Sequence, residues 1–245
     1  MRRIVLITVV AALLGLLAGC SDNKRAPTPS DAIRGSGVLT TVHHSLPPFD
    51  ELVLSAVGDV SITFGSPQSV EVTVDDNIMP HLVLNHSGTW LDIGIDQDIN
   101  AVDYDLTVDV VMTDVESLTL AGIGNIVGQN QLQAESVALT LAGIGNIVMD
   151  TECNLLNTLL AGTGNLELSG STAKHTTVLA GSGTVAAFEL SADTSLVTIA
   201  GEGNIEVTTI DRLGVLITGT GNVSYRGNPS ITCSITGTGQ VIDAN

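Results

Sequence analysis

Aromatic side chains make up only 2% of this 245-residue chain, and just eight Lys and Arg stand against 26 Asp and Glu. Each scarcity excludes something. With so few rings, the interior has to be filled by aliphatic side chains in regular layers. The scarcity also weakens a platform of rings for stacking sugars, although Trp90, Tyr104 and Tyr225 can contribute singly. The formal net charge of −18 repels polyphosphates and anionic lipid heads, which excludes nucleic-acid binding. Long apolar runs are also lacking: Ile4 to Leu17 spans 14 residues, short of the ~20 that a membrane-crossing helix needs.

What the chain has in excess is glycine, 26 residues, concentrated in one repeated phrase. Leu120-Ala121-Gly122-Ile123-Gly124-Asn125-Ile126 returns from Leu141, Leu160, Leu179, Ile199, Ile217 and Ile235, and its first glycines are 21, 19, 19, 20, 18 and 18 residues apart. Leu54, Gly58, Asp59 and Val60 align with Leu120, Gly124, Asn125 and Ile126 as a degenerate eighth copy. Such a period marks a stacked architecture.

Aligned copies give nearly unbroken apolar columns, headed by Leu52, Leu54 and Val60 and ending in Cys233, Ile235 and Val241. The first two columns lie two residues apart, the period of a strand with one buried face. A corner separates the second column from the third. Its turn glycines are Gly122, Gly143, Gly162, Gly181, Gly201, Gly219 and Gly237, then Gly124, Gly145, Gly164, Gly183, Gly203, Gly221 and Gly239. The second set is expected where φ is positive or backbones approach closely. Residues between the glycines vary from Ile123 to Glu202 and are expected to point outward. Asn125, Asn146, Asn165, Asn204 and Asn222 follow the second glycine, and stacked ~4.8 Å apart they are expected to form a structural amide ladder. A coil of about 18 to 21 residues suits two or three short strands. The expected fold is all-β, a right-handed parallel β-helix.

The N-terminus has a separate logic. Arg2 and Arg3, the apolar run, and Leu17-Ala18-Gly19-Cys20 resemble the signal and lipobox of bacterial lipoproteins. That resemblance implies a signal peptide over 1–19 and a lipidated Cys20 whose acyl chains (palmitate among them) hold the chain to a membrane. Ser21 resembles an outer-membrane sorting signal. Residues 20–37, with Pro27 and Pro29 and the basic Lys24, Arg25 and Arg34, read as the lipidated cysteine and a flexible tether. The folded domain is expected over 38–245, with degenerate coils and strands at 38–116 and regular repeats at 117–245.

Catalytic and metal patterns are sparse. Asp92, Asp96, Asp98, Asp103, Asp105 and Asp109 form an acidic stretch, and Asp96 opens like a calcium loop. Ala101 and Thr107 stand where that loop needs Gly and Glu, so the expectation is a solvated acidic loop and no metal site. His43, His44, His81, His86 and His175 lack ligand spacing. Past residue 37 the basic residues are Lys174, Arg212 and Arg226, too few for a lyase acting on acidic sugars. Glu167 and Glu206 occupy equivalent repeat positions, but sequence does not say whether they meet. Cys153 and Cys233 lie four coils apart, about 19 Å, beyond disulfide reach; two buried free thiols are expected.

Repeated Gly-x-Gly-Asn-Ile, Arg34-Gly35-Ser36-Gly37 leading to Phe49-Asp50, and Val57-Gly58-Asp59-Val60 resemble the family of putative auto-transporter adhesin, head GIN domain. The resemblance spans about 35 to 244 and implies a β-helical envelope protein of bacteria without catalytic residues or cofactors. The expected function is a non-catalytic, lipid-anchored binding or adhesion module of the cell envelope, at the outer membrane, with a protein or glycan partner. The alternatives are a structural or assembly partner facing the periplasm and, behind it, a polysaccharide-active enzyme. Only Ile242 to Asn245 follow the last repeat, so capping by a neighbour or end-to-end self-association is expected there.

Overall fold

The structure, a computed structural model, describes residues 32–245; the expected signal peptide, Cys20, Lys24 and Arg25 lie outside the described residues. The chain opens with β1 (Ala32–Arg34), β2 (Leu39–His44), β3 (Glu51–Leu54), β4 (Val57–Phe64) and β5 (Ser69–Asp75). A 3₁₀ turn at Met79–His81 leads to β6 (Leu82–Ser87), β7 (Trp90–Ile95), β8 (Asn100–Val102) and β9 (Leu106–Met112). Spatial order departs from chain order here. The coil formed by β3 and β4 has β7 and β9 beside it on one side, in parallel register. The next repeats pack on its other side.

Those repeats are β10 (Ser117–Leu120), β11 (Ile123–Gly128), β12 (Leu132–Leu141), β13 (Ile144–Leu160), β14 (Thr163–Leu179), β15 (Ser182–Ile199) and β16 (Glu202–Ile217). The final turns are β17 (Val223–Arg226), β18 (Ser230–Ile235) and β19 (Val241–Asp243). Each of β13 to β16 is one strand bent through most of a coil. Every pairing from β10 onward is parallel, giving a parallel β-solenoid of about seven turns. The degenerate copy sits in the register its sequence implies: Leu54 is opposite Leu120, Gly58 opposite Gly124 and Asp59 opposite Asn125.

The N-terminal part is not parallel throughout. β2 pairs antiparallel with β5, β5 with β9, and β6 with β7. Only two residues, including Gly88 at φ 65°, join β6 to β7. So short a link permits an antiparallel hairpin and forbids a parallel crossover. These hairpins cover part of the coil edge that would otherwise stay open.

The body also begins earlier than its apolar pattern suggests. β1 pairs with β8, Arg34 is ion-paired with Asp103, and Gly37 donates its amide to Asp75 at 2.6 Å. Residues 32–37 therefore belong to the folded domain rather than to the tether. Apart from Ile33, which packs against the core, they are held by polar contacts, which leave no hydrophobic period to read. Asp75 also accepts the Asp105 amide at 2.9 Å, and the Asp105 and Gly37 amides together hold its carboxyl below the ordinary value.

The apolar columns build the core. Leu118, Leu120, Ile126, Leu139, Leu141, Ile147, Leu160, Leu166, Leu179 and Ile199 are all fully buried. Cys153 is buried, whereas Cys233 is exposed, and both are free. The expectation of two buried thiols thus fails at Cys233. That residue continues an inward column, opposite Val215, but among the described residues no further strand lies over it.

The corner explains the glycines. In a typical coil the amides of Ala161 and Gly162 both donate to the Leu141 carbonyl, at 2.8 and 2.9 Å. That draws successive corners together until a Cβ on Gly162 would lie 1.9 Å from the Gly143 carbonyl oxygen. Gly164 has φ +143°, and a Cβ there would lie 1.7 Å from the Gly145 oxygen. The first glycine column is needed for space alone, the second for space and, from Gly124 to Gly221, for φ as well.

One inward column carries a histidine. His175 stands opposite Leu156 and Ser195, is 1% exposed, and shares a 3.1 Å hydrogen bond with Thr158 Oγ1. Burial pushes its pKa from 6.5 down to about 4, because an imidazolium there would lose its hydration.

Two outcomes follow from these features. Gly164→Ala is expected to cost several kcal/mol, on the order of 3–5, or to abolish folding; Gly65→Ala, with nothing within 4 Å of its Cβ, is expected to melt within a few degrees of the parent. The folded pKa of His175 lies below the unfolded value, so the unfolded state binds the extra proton. Stability is therefore complete above about pH 6.5 and declines as pH falls toward about 4. Over that window the loss is about 3 kcal/mol, and denaturant unfolding of His175→Leu should show a flatter slope than the parent.

Candidate functional site

The asparagine column is a polar ladder with a direction. Asn125 donates its backbone amide and its Nδ2 to Asp59 Oδ1, at 2.9 and 2.7 Å. Asn146 Nδ2 donates to Asn125 Oδ1 at 2.8 Å, and Asn165 Nδ2 to Asn146 Oδ1 at 3.0 Å. Each amide donates toward the N-terminal end, so the first member needs only an acceptor, which Asp59 supplies as a carboxylate. Thr184, which carries no amide, separates this run from a second one. There Asn222 donates its backbone amide and Nδ2 to Asn204, and Gln240 its backbone amide to Asn222. These side chains are engaged with one another, which makes the column a structural seam. Outside it, Val57, Ile123 and Ile144 stand in adjacent coils at 47%, 47% and 53% exposure.

A concavity lies at a different corner. Along β13, inward residues alternate through Cys153 and then slip by one to Leu156, so Asn154 turns outward. The slip recurs in β14, where Thr172 and His175 are inward and Ala173 is exposed. In β15 Asp193 is exposed between the inward Ala192 and Ser195, and in β16 Ile210 occupies this corner, 53% exposed. Stacking these corners leaves a trough of about 520 Å³, within the usual size of small-molecule sites. It runs across the coils from β12 to β16, about 19 Å at ~4.8 Å per coil. Its floor is small: Ala134, Cys153 and Thr172, with the Cys153 thiol 3.5 Å from Thr172 Oγ1. The polar walls are Gln133, Glu152, Asn154, Ser171, Ser191 and Asp193, and no cationic side chain lines it.

A second groove of about 400 Å³ contains Glu167 and Glu206. The structure settles their relation: Glu167 is opposite Ala186, and Ala186 is opposite Glu206. They share one outward column, two coils or about 9.6 Å apart along the stack. Arg226, which lines the same groove, is already engaged, 4.2 Å over the Phe188 ring and 3.7 Å from Glu189.

The acidic stretch disperses into separate duties. Asp92 accepts the Ser55 hydroxyl at 2.6 Å, Asp96 accepts the Asp98 amide at 2.9 Å as an Asx turn, and Asp103 pairs with Arg34. Asp109 faces Glu71 across β5 and β9, and Glu71 in turn lies 2.8 Å from His43. Where three ligand-type groups do converge is elsewhere: Asp50, Glu51 and Glu116 offer oxygens within 4.8 Å of one another. Residues 51 and 116 lie far apart in sequence, joined only by the β3–β10 stacking, so no spacing rule points to them. The remaining histidines are scattered, with His86 Nε2 3.4 Å from the Pro48 carbonyl and His175 in the core.

Comparison with known proteins places this architecture. A putative adhesin from Bacteroides fragilis NCTC 9343 superposes with a TM-score of 0.82 at 21% identity, covering 85% of this chain and 98% of that one. A putative adhesin from Parabacteroides merdae ATCC 43184 gives 0.69 at 20% identity, covering 88% and 100%. A putative lipid binding protein from Parabacteroides distasonis ATCC 8503 gives 0.67 at 19% identity, covering 86% and 100%. At these identities the likeness is one of fold. No curated protein matches the chain significantly. The sequence itself matches a family over residues 48–229, from the strands of the degenerate copy to the edge of β18. With its glycine corners and stacked coils accounted for, the chain belongs to the family described as putative auto-transporter adhesin, head GIN domain.

Proposed function

We propose that this protein is a non-catalytic binding module of the bacterial cell envelope, anchored through lipid on Cys20, that holds an extended neutral glycan chain along the trough of β12 to β16. The observation that carries the reading is the trough's lining. Gln133, Glu152, Ser171 and Ser191 stand opposite one another in β12 to β15, an amide, a carboxylate and two hydroxyls in register over about 14 Å at ~4.8 Å per coil. A polymer of hydroxyl-bearing units laid along the axis meets one hydrogen-bonding side chain of this row in each of those four coils. Glu152 and Asp193, with no cationic side chain beside them, repel acidic sugars and favour neutral ones.

Adhesion fits the remaining parts. The family and two of the similar structures carry the description of adhesins, and a rigid rod on a tether presents its side walls away from a surface. Glu167 and Glu206 are the pair a hydrolytic reading would require. Their groove has its one arginine already bound to Phe188 and Glu189, so it offers no free cation to an acidic substrate.

Three experiments test the proposal. Cys20→Ser should move the protein from the membrane fraction to the soluble fraction, and protease applied to intact cells should remove the folded domain of the parent; survival of the domain would indicate the periplasmic face. On a glycan array the parent should bind neutral chains. Ala173→Trp with Ser191→Trp, which fill the trough, should lower that binding at least about tenfold, a loss of ~1.4 kcal/mol. Unchanged binding by the filled variant would move the site away from the trough.

A further inference from the structure

The last coil presents a strand that is built like a core strand and covered like a surface. Among the described residues β18 is paired along one edge only, with β16. All six of its residues are exposed. Ile231, Cys233 and Ile235 stand opposite Leu213, Val215 and Ile217, which are buried. They therefore continue three inward columns, yet Ile231 and Ile235 are 39% and 41% exposed. An open strand edge with an apolar inward row is a template for another strand.

Two features of the sequence name that strand. Ser230-Ile231-Thr232-Cys233-Ser234-Ile235-Thr236 reads hydroxyl, Ile, hydroxyl, Cys, hydroxyl, Ile, hydroxyl, and is symmetric about Cys233. Set antiparallel to a copy of itself with Cys233 at the centre, it places Ile231 against Ile235 of the second copy, Cys233 against Cys233, and Thr232 against Ser234. Inward residues meet inward residues at every position, the self-complementarity that a two-fold interface requires. Secondly, no charged residue occurs between Asn228 and Ile242 in a chain of net charge −18. Two such molecules repel one another over most approaches; at this end the contacting strand carries no charge to oppose them.

We propose that two copies of this chain join end to end through β18, about a two-fold axis at Cys233, so that the two solenoids share one continuous sheet. A head-to-tail joint would instead set β18 against β2 or β6. Those strands, Leu39–His44 and Leu82–Ser87, lack the matching order of side chains, and such a joint would grow into open filaments rather than close as a dimer.

Sedimentation equilibrium on the full chain distinguishes these cases. The expected result is a reversible monomer–dimer equilibrium with no larger species. Ile231→Glu with Ile235→Glu sets four carboxylates around the axis and should raise the dimer Kd at least about a hundredfold. Ile123→Glu with Ile144→Glu, equally exposed on a side corner, should leave it unchanged. Independently of those variants, a short bismaleimide should cross-link the parent through Cys233, and Cys233→Ala should lose that product. A protein monomeric at every concentration, a filament, or a dimer indifferent to the Ile231 and Ile235 substitutions would overturn the proposal.

Discussion

Everything in this molecule depends on how closely one coil can approach the next at the glycine corner. Two consecutive amides, those of Ala161 and Gly162 in one coil, converge on a single carbonyl of the coil before. The hydrogen bonds fix the backbone spacing, and at that spacing a methyl group on the second glycine would overlap the preceding carbonyl. The corner is thus a steric filter applied once per coil. It sets the period, and the period aligns the inward columns over one another. Burial of those aliphatic columns then supplies the main stabilisation. The asparagine ladder runs beside the corner, and its side-chain oxygens accept side-chain and backbone amides of the following coil.

The same regularity accounts for where the molecule departs from it. At the N-terminal end the chain leaves the β3 and β4 coil, builds antiparallel pairs with β2, β5 and β6, and returns to stack β10 on β3. A parallel stack leaves open edges at its ends, and hairpins use the edge hydrogen-bonding groups without extending the solenoid. Asp75 and Asp59 serve at that end for related reasons. Each is a carboxylate that accepts backbone amides where no regular strand or ladder member precedes them. The opposite end, at β18, has no such device among the described residues, and its side chains are instead uncharged and symmetric.

The proposed binding trough lies where the repeat is least strict. The glycine corner is saturated with its own contacts, which leaves little of it for a ligand. The other corner, where the inward alternation slips at Asn154, Ala173 and Asp193, tolerates different side chains and stacks into a trough. Inside the same coils His175, Thr158, Ser195 and Thr209 replace aliphatic residues, paired with one another by hydrogen bonds. These three hydroxyls and the neutral imidazole are tolerated there because each finds a partner in an adjacent coil, whereas the buried Thr151 and Thr177 hydroxyls of the same coils have none among the described residues.

Much of the fold was legible in the sequence, because each coil answers to local rules. The spacing of Gly122 through Gly239, the columns headed by Leu52, Leu54 and Val60, and the register of the degenerate copy all follow from period-two alternation and from glycine's lack of a side chain. Contacts between segments distant in the chain were not legible. Gly37 on Asp75, Asp50 with Glu51 and Glu116, Glu167 with Glu206 across Ala186, and the trough itself arise when coils are laid on one another, and no spacing along one strand encodes them. Cys233 shows the difference within a single residue. Its column made it an inward side chain, which the structure bears out. Its exposure was decided only by the absence of a described strand above it, because burial belongs to the neighbours a residue acquires and not to the direction in which it points.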